Sequence, residues 1–206
     1  MKRVLNSGSI KLPYITGSEK DLLNNAACSY GIKDLNLLMP HIFQVDAYLK
    51  QINFTFEIKM PVLVAQSFYY AHLGALKAQE GLDHQVSYLP AQYWKQDPSG
   101  FLPMSPKDSN ELNTKLNNFY NWSFNFYNKM VEGGLCKEQA QLVLPQGLFK
   151  TYLWEVNAKD LISFIEQNHS KSPEMAGYCN TLVLYMEDHL PQVTSYLKRN
   201  QWKDLI

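Results

Sequence analysis

The side chains able to do chemistry are scattered along the chain. Five histidines (His41, His72, His84, His169 and His189) fall at no metal-ligand spacing, and no H-E-x-x-H occurs, so no metal is expected. Glu187-Asp188-His189 groups acids with a base near a helix end and reads as a solvated face rather than a catalytic cluster. Cys28 and Cys136 have the right atom for a nucleophile, but nothing beside them in sequence lowers a thiol pKa, so both read as buried, inert thiols. With Cys179 they make an odd, widely spaced set that fits reduced thiols better than disulfides. No G-x-x-x-x-G-K-[ST], G-x-G-x-x-G or G-x-S-x-G is present. Taken singly, the residues announce no reaction.

Charge narrows the classes. The 206 residues carry 19 basic and 19 acidic side chains, without the basic excess of a nucleic-acid binder. Only two of the basic residues are arginine, Arg3 and Arg199, near the two ends. A site between them must hold anions with lysine, backbone N–H groups or helix N-termini. Apolar residues make up 46%, enough for one domain over 1–206 with its own core. No apolar run is long enough to span a membrane, and the first residues lack a signal-peptide core, so a cytoplasmic protein is expected. Thirteen tyrosines and ten phenylalanines are expected to fill the core and subunit contacts before they stack on a ligand.

The elements that must position a site follow from periodicity. Residues 6–18 read as turn. Ser18 caps a helix to about Cys28, and a second short helix at 34–39 stops at Pro40. Phe54, Phe56 and Ile58 alternate with Thr55, Glu57 and Lys59, which is a half-buried strand. Pro61 opens a largely buried helix to about position 80. The stretch 81–108, with four prolines, reads as a flexible loop. Ser109 caps a long helix whose inner face is Leu112, Leu116, Phe119, Ser123, Phe126 and Met130, and Gly133-Gly134 ends it. A short helix at 136–143 runs into Pro145, residues 149–156 alternate as a strand, and Asn157 and Ser172 start helices to about Asn168 and His189. The class is α/β or α+β.

Two segments resemble the flavin-dependent thymidylate synthase (ThyX) family. Phe54-Thr55-Phe56-Glu57-Ile58-Lys59-Met60-Pro61-Val62-Leu63-Val64-Ala65 is similar to F-T-F-x-I-K-x-P-I-F-V-A, and Glu138-Gln139-Ala140-Gln141-Leu142-Val143-Leu144-Pro145 to R-E-x-A-R-x-V-L-P. Asn157-Ala158-Lys159-Asp160-Leu161-Ile162-Ser163-Phe164 resembles N-x-R-x-L-L-H-F, and Glu174-Met175-Ala176-Gly177-Tyr178 falls where the family has E-I-R-x-Y. The resemblance implies a mixed α/β fold and a homotetramer. It also implies FAD and dUMP at sites shared between subunits, and a one-carbon unit from methylene-tetrahydrofolate.

The resemblance fails where the family's chemistry sits. Against its R-H-R-x-x-S and following S-x-R, a gapless continuation sets Tyr70-Ala71-His72 on Arg-His-Arg, and Ala75 and Glu80 on the serines. Gln66 and Ser67 stand at Arg-Gln, Gln141 replaces the arginine before V-L-P, and Ala176 the arginine of E-I-R. Between positions 61 and 94 the only basic residue other than histidine is Lys77. Charge-assisted bonds to phosphate contribute about 1.5–3 kcal/mol each, so losing several lowers affinity for dUMP and FAD by decades.

The positions carried over give a candidate set. Tyr70, His72 and Glu80 are the catalytic candidates, Gln66, Ser67 and Asn157 the cofactor contacts, and Tyr69 and Gln141 the substrate contacts. The bland alternative is that Tyr69 and Tyr70 pack in the core and His72 is a surface group. Three readings stay open. One is an enzyme with altered chemistry on a pyrimidine nucleotide or another small molecule. Another is a non-catalytic subunit, in a homo-oligomer or beside an active paralogue. The last is an unrelated α+β interaction protein.

Overall fold

The computed structural model describes residues 1–5, 7–79, 83–90 and 92–203, and of 83–87 the backbone alone. In chain order the elements are β1 (Lys2–Val4), β2 (Gly8–Thr16), α1 (Glu19–Tyr30), α2 (Leu35–Gln44), α3 (Asp46–Leu49), β3 (Asn53–Pro61), α4 (Val62–Ala71), β4 (Ala75–Ala78), β5 (Asp83–Ser87), β6 (Trp94–Asp97), β7 (Gly100–Pro103), α5 (Pro106–Glu132), α6 (Lys137–Ala140), β8 (Leu148–Asn157), α7 (Ala158–Asn168), α8 (Pro173–His189) and α9 (Pro191–Asn200), with one 3₁₀ turn at Gln141–Val143. Mixed α/β architecture is therefore observed.

Among the described residues six strands form one antiparallel sheet in the order β1-β2-β3-β8-β4, with β5 also paired to β8. The central pair is long and unbroken: Phe56 lies opposite Trp154, Ile58 opposite Tyr152 and Lys59 opposite Thr151. Alternation along β3 buries Phe54, Phe56, Ile58 and Met60 on one face. There they meet Phe68 of α4, Phe164 of α7 and Tyr178 and Leu182 of α8 in one core cluster. Trp154, fully buried, sits amid Phe56, Phe68 and Phe164 at centroid distances of 5.9, 5.0 and 4.9 Å. No helix among the described residues is long and apolar enough to cross a membrane.

Several expectations are corrected. Residues 8–16 are strand, not turn; Pro13, which has no N–H to give a ladder, sits where the β2–β3 register shifts between Lys11 and Tyr14. Helix α2 runs through Pro40 because burial of Leu38, Met39 and Ile42 outweighs one lost backbone bond. Helix α4 stops at Ala71 instead of reaching position 80. His72 takes a left-handed φ of 53°, and β4 then pairs with β8. The Trp154 indole N–H donates to the Leu73 carbonyl at 3.0 Å, and at Gly74 (φ 72°) a Cβ would lie 2.4 Å from the Glu155 carbonyl oxygen. Only glycine lets the chain pass there. The stretch read as a loop at 81–108 carries β5, β6 and β7.

Ser105, not Ser109, caps α5, accepting the Asp108 N–H at 3.2 Å with Pro106 at the first turn. The α5 face is also rotated from the one expected. Tyr120, Ser123 and Tyr127 are buried, whereas Phe119 and Phe126 are exposed. Cys28 and Cys136 are exposed rather than buried, while burial pushes the Cys179 thiol up to about 12. The Asn157 and Ser172 caps are where the sequence places them.

Helix α9 is held by a group with no local signal. Its N-cap, Leu190, offers no side-chain acceptor, and the buried Glu19 carboxylate of α1 accepts the Val193 N–H at 2.8 Å instead. Burial raises the Glu19 pKa, against the pull of the backbone N–H groups of Val193 and Gln192. A raised carboxylate pKa gives a contribution that is full below the unfolded value and lost as pH rises through the folded one. Glu19→Gln keeps an acceptor and removes the charge. Thermal melts from about pH 4 to pH 7 are expected to show the wild type losing stability relative to this variant as pH rises.

Candidate functional site

The N-terminus of α4, the turn after α6 and strands β4 and β8 enclose a cavity of about 280 Å³. Val62, Ala78, Leu144, Pro145 and Leu148 form its apolar wall, and Tyr69, Gln141, Gln146, Lys150 and Tyr152 supply its polar groups. The scaffold is tied together by backbone bonds. The Leu63 N–H donates to the Gln146 carbonyl at 3.0 Å, fixing the start of α4 against the turn. From α5, the Ser123 hydroxyl donates to the Val143 carbonyl at 2.5 Å. Tyr120 packs over Gly147, where a Cβ would fall 2.1 Å from the tyrosine hydroxyl oxygen. The Tyr88 N–H donates to the Gly147 carbonyl at 2.8 Å, and the Tyr88 hydroxyl donates to Glu174 Oε1 at 3.1 Å. Burial first, then the neighbouring Glu174 charge, raises the Tyr88 pKa well above the usual tyrosine range.

The described lining residues are neutral apart from one cation. Tyr69 and Tyr152 meet edge to face at 6.4 Å. Burial, with a contribution from Tyr69, pushes Tyr152 up to about 12, so its hydroxyl stays protonated at neutral pH and serves as a donor. Gln141 and Gln146 each offer a carbonyl acceptor and two amide donors. Among the described lining residues Lys150 is the single cationic side chain, and they include no arginine, histidine or carboxylate. Such a cavity can read the donor and acceptor edge of a small planar ring and pair one negative oxygen.

The candidates divide accordingly. Tyr69 and Gln141 line the cavity together. Gln66 and Ser67 are half-buried on α4 and do not line it. Tyr69 and Tyr70 are 47% and 75% exposed, so neither packs in the core. His72 is exposed at the left-handed end of α4, apart from the cavity lining. Glu80 lies outside the described residues. The Asn157 side chain accepts the Asp160 N–H at 2.9 Å and donates to Asp160 Oδ2 at 2.8 Å, which makes it the cap of α7. Sequence reasoning missed Gln146, Lys150 and Tyr152. The signal was available for the last two, because they share the period-two face of Trp154.

Similarity to known proteins decides the family. The pattern of the family described as "Thymidylate synthase complementing protein" matches residues 14–192. The chain belongs to that family. Flavin-dependent thymidylate synthases from Thermosipho melanesiensis and Borreliella burgdorferi are similar to it. The first is 27% identical over 99% of this chain and 96% of the relative, the second 22% over 92% and 79%. A UMP/dUMP methylase, PolB, from Streptomyces cacaoi, solved with 5-Br UMP, superposes with a TM-score of 0.79 at 13% identity, covering 97% of each chain. In this thymidylate synthase complementing family member, the turn carrying Gln141 and the strand carrying Lys150 both fall inside the matched region.

The donor set among the described residues of this cavity does not fit a whole FAD within one chain. A dinucleotide needs more than about 280 Å³, and one lysine cannot neutralise a pyrophosphate.

Proposed function

We propose that this protein is a diverged ThyX-like subunit whose cavity takes one pyrimidine-sized ring. The ring would be held by Gln141, Gln146 and the Tyr152 hydroxyl, with Lys150 pairing a single anionic oxygen. Ordinary dUMP methylation with methylene-tetrahydrofolate is lost. The observation that carries this reading is the lining itself, which among the described residues has five polar side chains, one of them charged. A glutamine can satisfy an imide edge but contributes no charge to a phosphate. The described lining residues include no carboxylate or histidine, so their own part is binding and hydrogen-bond donation. A flavin would need a second subunit to complete its site. The working compartment is the cytoplasm.

Assembly follows from α5. Phe119, Trp122 and Phe126 are exposed and stack in sequence at 6.3 and 5.4 Å, and Leu142 beside the cavity is 85% exposed. Rings in this arrangement suit a subunit contact. That favours a homo-oligomer, with a mixed assembly beside a paralogue as the second reading. The activity test is conversion of dUMP to dTMP with methylene-tetrahydrofolate, FAD and a reductant, followed with the visible spectrum of added flavin. The expected result is no dTMP above the enzyme-free control, whether or not the flavin bands shift. Turnover by the purified chain would overturn the reading.

A further inference from the structure

We propose that the anion this cavity accepts is a carboxylate on the ring itself, so that its ligand class is a pyrimidine carboxylic acid with an intact imide edge. The proposal rests on the reading of the cavity as a ring site and names the charge that reading leaves open. Register shows where the cation stands. In the β3–β8 pair Lys150 lies opposite Met60 and Tyr152 opposite Ile58, and both β3 residues are fully buried. On the other side of β8, Ala78 of β4 lies opposite Tyr152. Directly opposed residues in an antiparallel sheet share a face, so Lys150 rises beside an apolar floor. An ammonium there pairs more strongly than one on open surface. Lys150 is half-buried, and no ion pair among the described residues engages it.

A second feature calls for the same charge. Val62, the first residue of the ten-residue helix α4, lines the cavity. Pro61 before it offers no capping side chain, and the first turn holds no acidic residue. The positive end of α4 therefore meets the cavity without an anion of its own. Size and charge then select the group. A cavity of about 280 Å³ is at the small end for ligand pockets and suits a ring with one compact substituent better than a ring, sugar and phosphate. A phosphate monoester brings nearly two charges, of which one would be desolvated without a partner. A carboxylate brings one charge on two oxygens. Lys150 takes the first, and the end of α4 attracts the second. The Gln141 and Gln146 amides and the Tyr152 hydroxyl remain for the ring, where an imide edge offers them both donors and acceptors.

The test is calorimetric titration of the full chain with uracil, with orotate and isoorotate (the two uracil carboxylates), and with their methyl esters. The better of the two acids is expected to bind about tenfold or more tightly than uracil. Its ester, the same ring without the charge, is expected to bind like uracil, and this comparison needs no variant. Lys150→Met keeps an unbranched apolar stem and is expected to bring the ratio of acid to uracil affinity close to one. Lys115→Met, which removes an exposed lysine of α5, is expected to leave that ratio as in the wild type. Nicotinate, a ring carboxylate with no imide edge, is expected to bind more weakly than the better uracil acid. Equal affinity for nicotinate would overturn the assignment to a pyrimidine. Uracil binding with no gain from the carboxylate, or a gain that survives Lys150→Met, would overturn this proposal and leave the ring reading standing. Binding by none of these rings would overturn the ring reading itself and this proposal with it.

Discussion

Trp154→Ala is expected to destabilise the protein by about 3–5 kcal/mol, a large share of the total stability of a domain this size. The residue is fully buried, and three aromatic rings from β3, α4 and α7 close on it. Removing the indole leaves a cavity that three separate elements would have to shrink together. It also strands the Leu73 carbonyl, whose partner is the indole N–H at 3.0 Å. That bond holds the chain where α4 ends and β4 begins, so the loss spreads to Ala78 and the cavity wall. Trp154→Phe separates the two contributions. It keeps most of the packing and loses the hydrogen bond, for an expected cost of about 1–3 kcal/mol. Urea unfolding of the three proteins measures both steps. Equal costs for alanine and phenylalanine would mean that the carbonyl bond, and not ring packing, holds this corner.

The second large effect is a gain. Gln141→Arg is expected to raise affinity for dUMP by about ten- to a hundredfold relative to deoxyuridine, which loses the Gln141 contact to its ring and gains nothing. Gln141 is exposed at its backbone turn and lines the cavity, so a longer side chain has room. One added charge-assisted contact to phosphate contributes about 1.5–3 kcal/mol, at about 1.4 kcal/mol per tenfold. An equal rise for both ligands would place the new contact on the ring or sugar instead.

Much of the frame was legible because its signals are local. The alternation in β3 and β8 and the Asn157 and Ser172 caps each depend on residues within a few positions. The failures depend on partners distant in sequence. Helix α4 ends early because Trp154 and Glu155 of β8 fix Leu73 and Gly74, some eighty residues before them. Residues 8–16 look like turn by composition and become strand because β3 pairs with them. Helix α9 starts on a glutamate from α1.

The site shows the same division. Tyr69 and Gln141 were found from the motifs that flank them, and the structure brings them into one cavity. Asn157 matched its motif cleanly, yet its side chain is engaged in capping α7. A motif match cannot separate a ligand contact from a cap, because both roles use the same amide. Lys150 and Tyr152 share the period-two face of Trp154 in sequence, but only packing shows that this face meets α4.

The central claim is that the cavity reads a ring and not a phosphate. Calorimetric titration of the wild-type protein with dUMP and with deoxyuridine tests it most directly. With Lys150 as the single charged contact, the account predicts that dUMP binds no more than about tenfold more tightly than deoxyuridine. A preference for dUMP of about a thousandfold or more would contradict it, because the contacts of the described lining residues could not supply that difference.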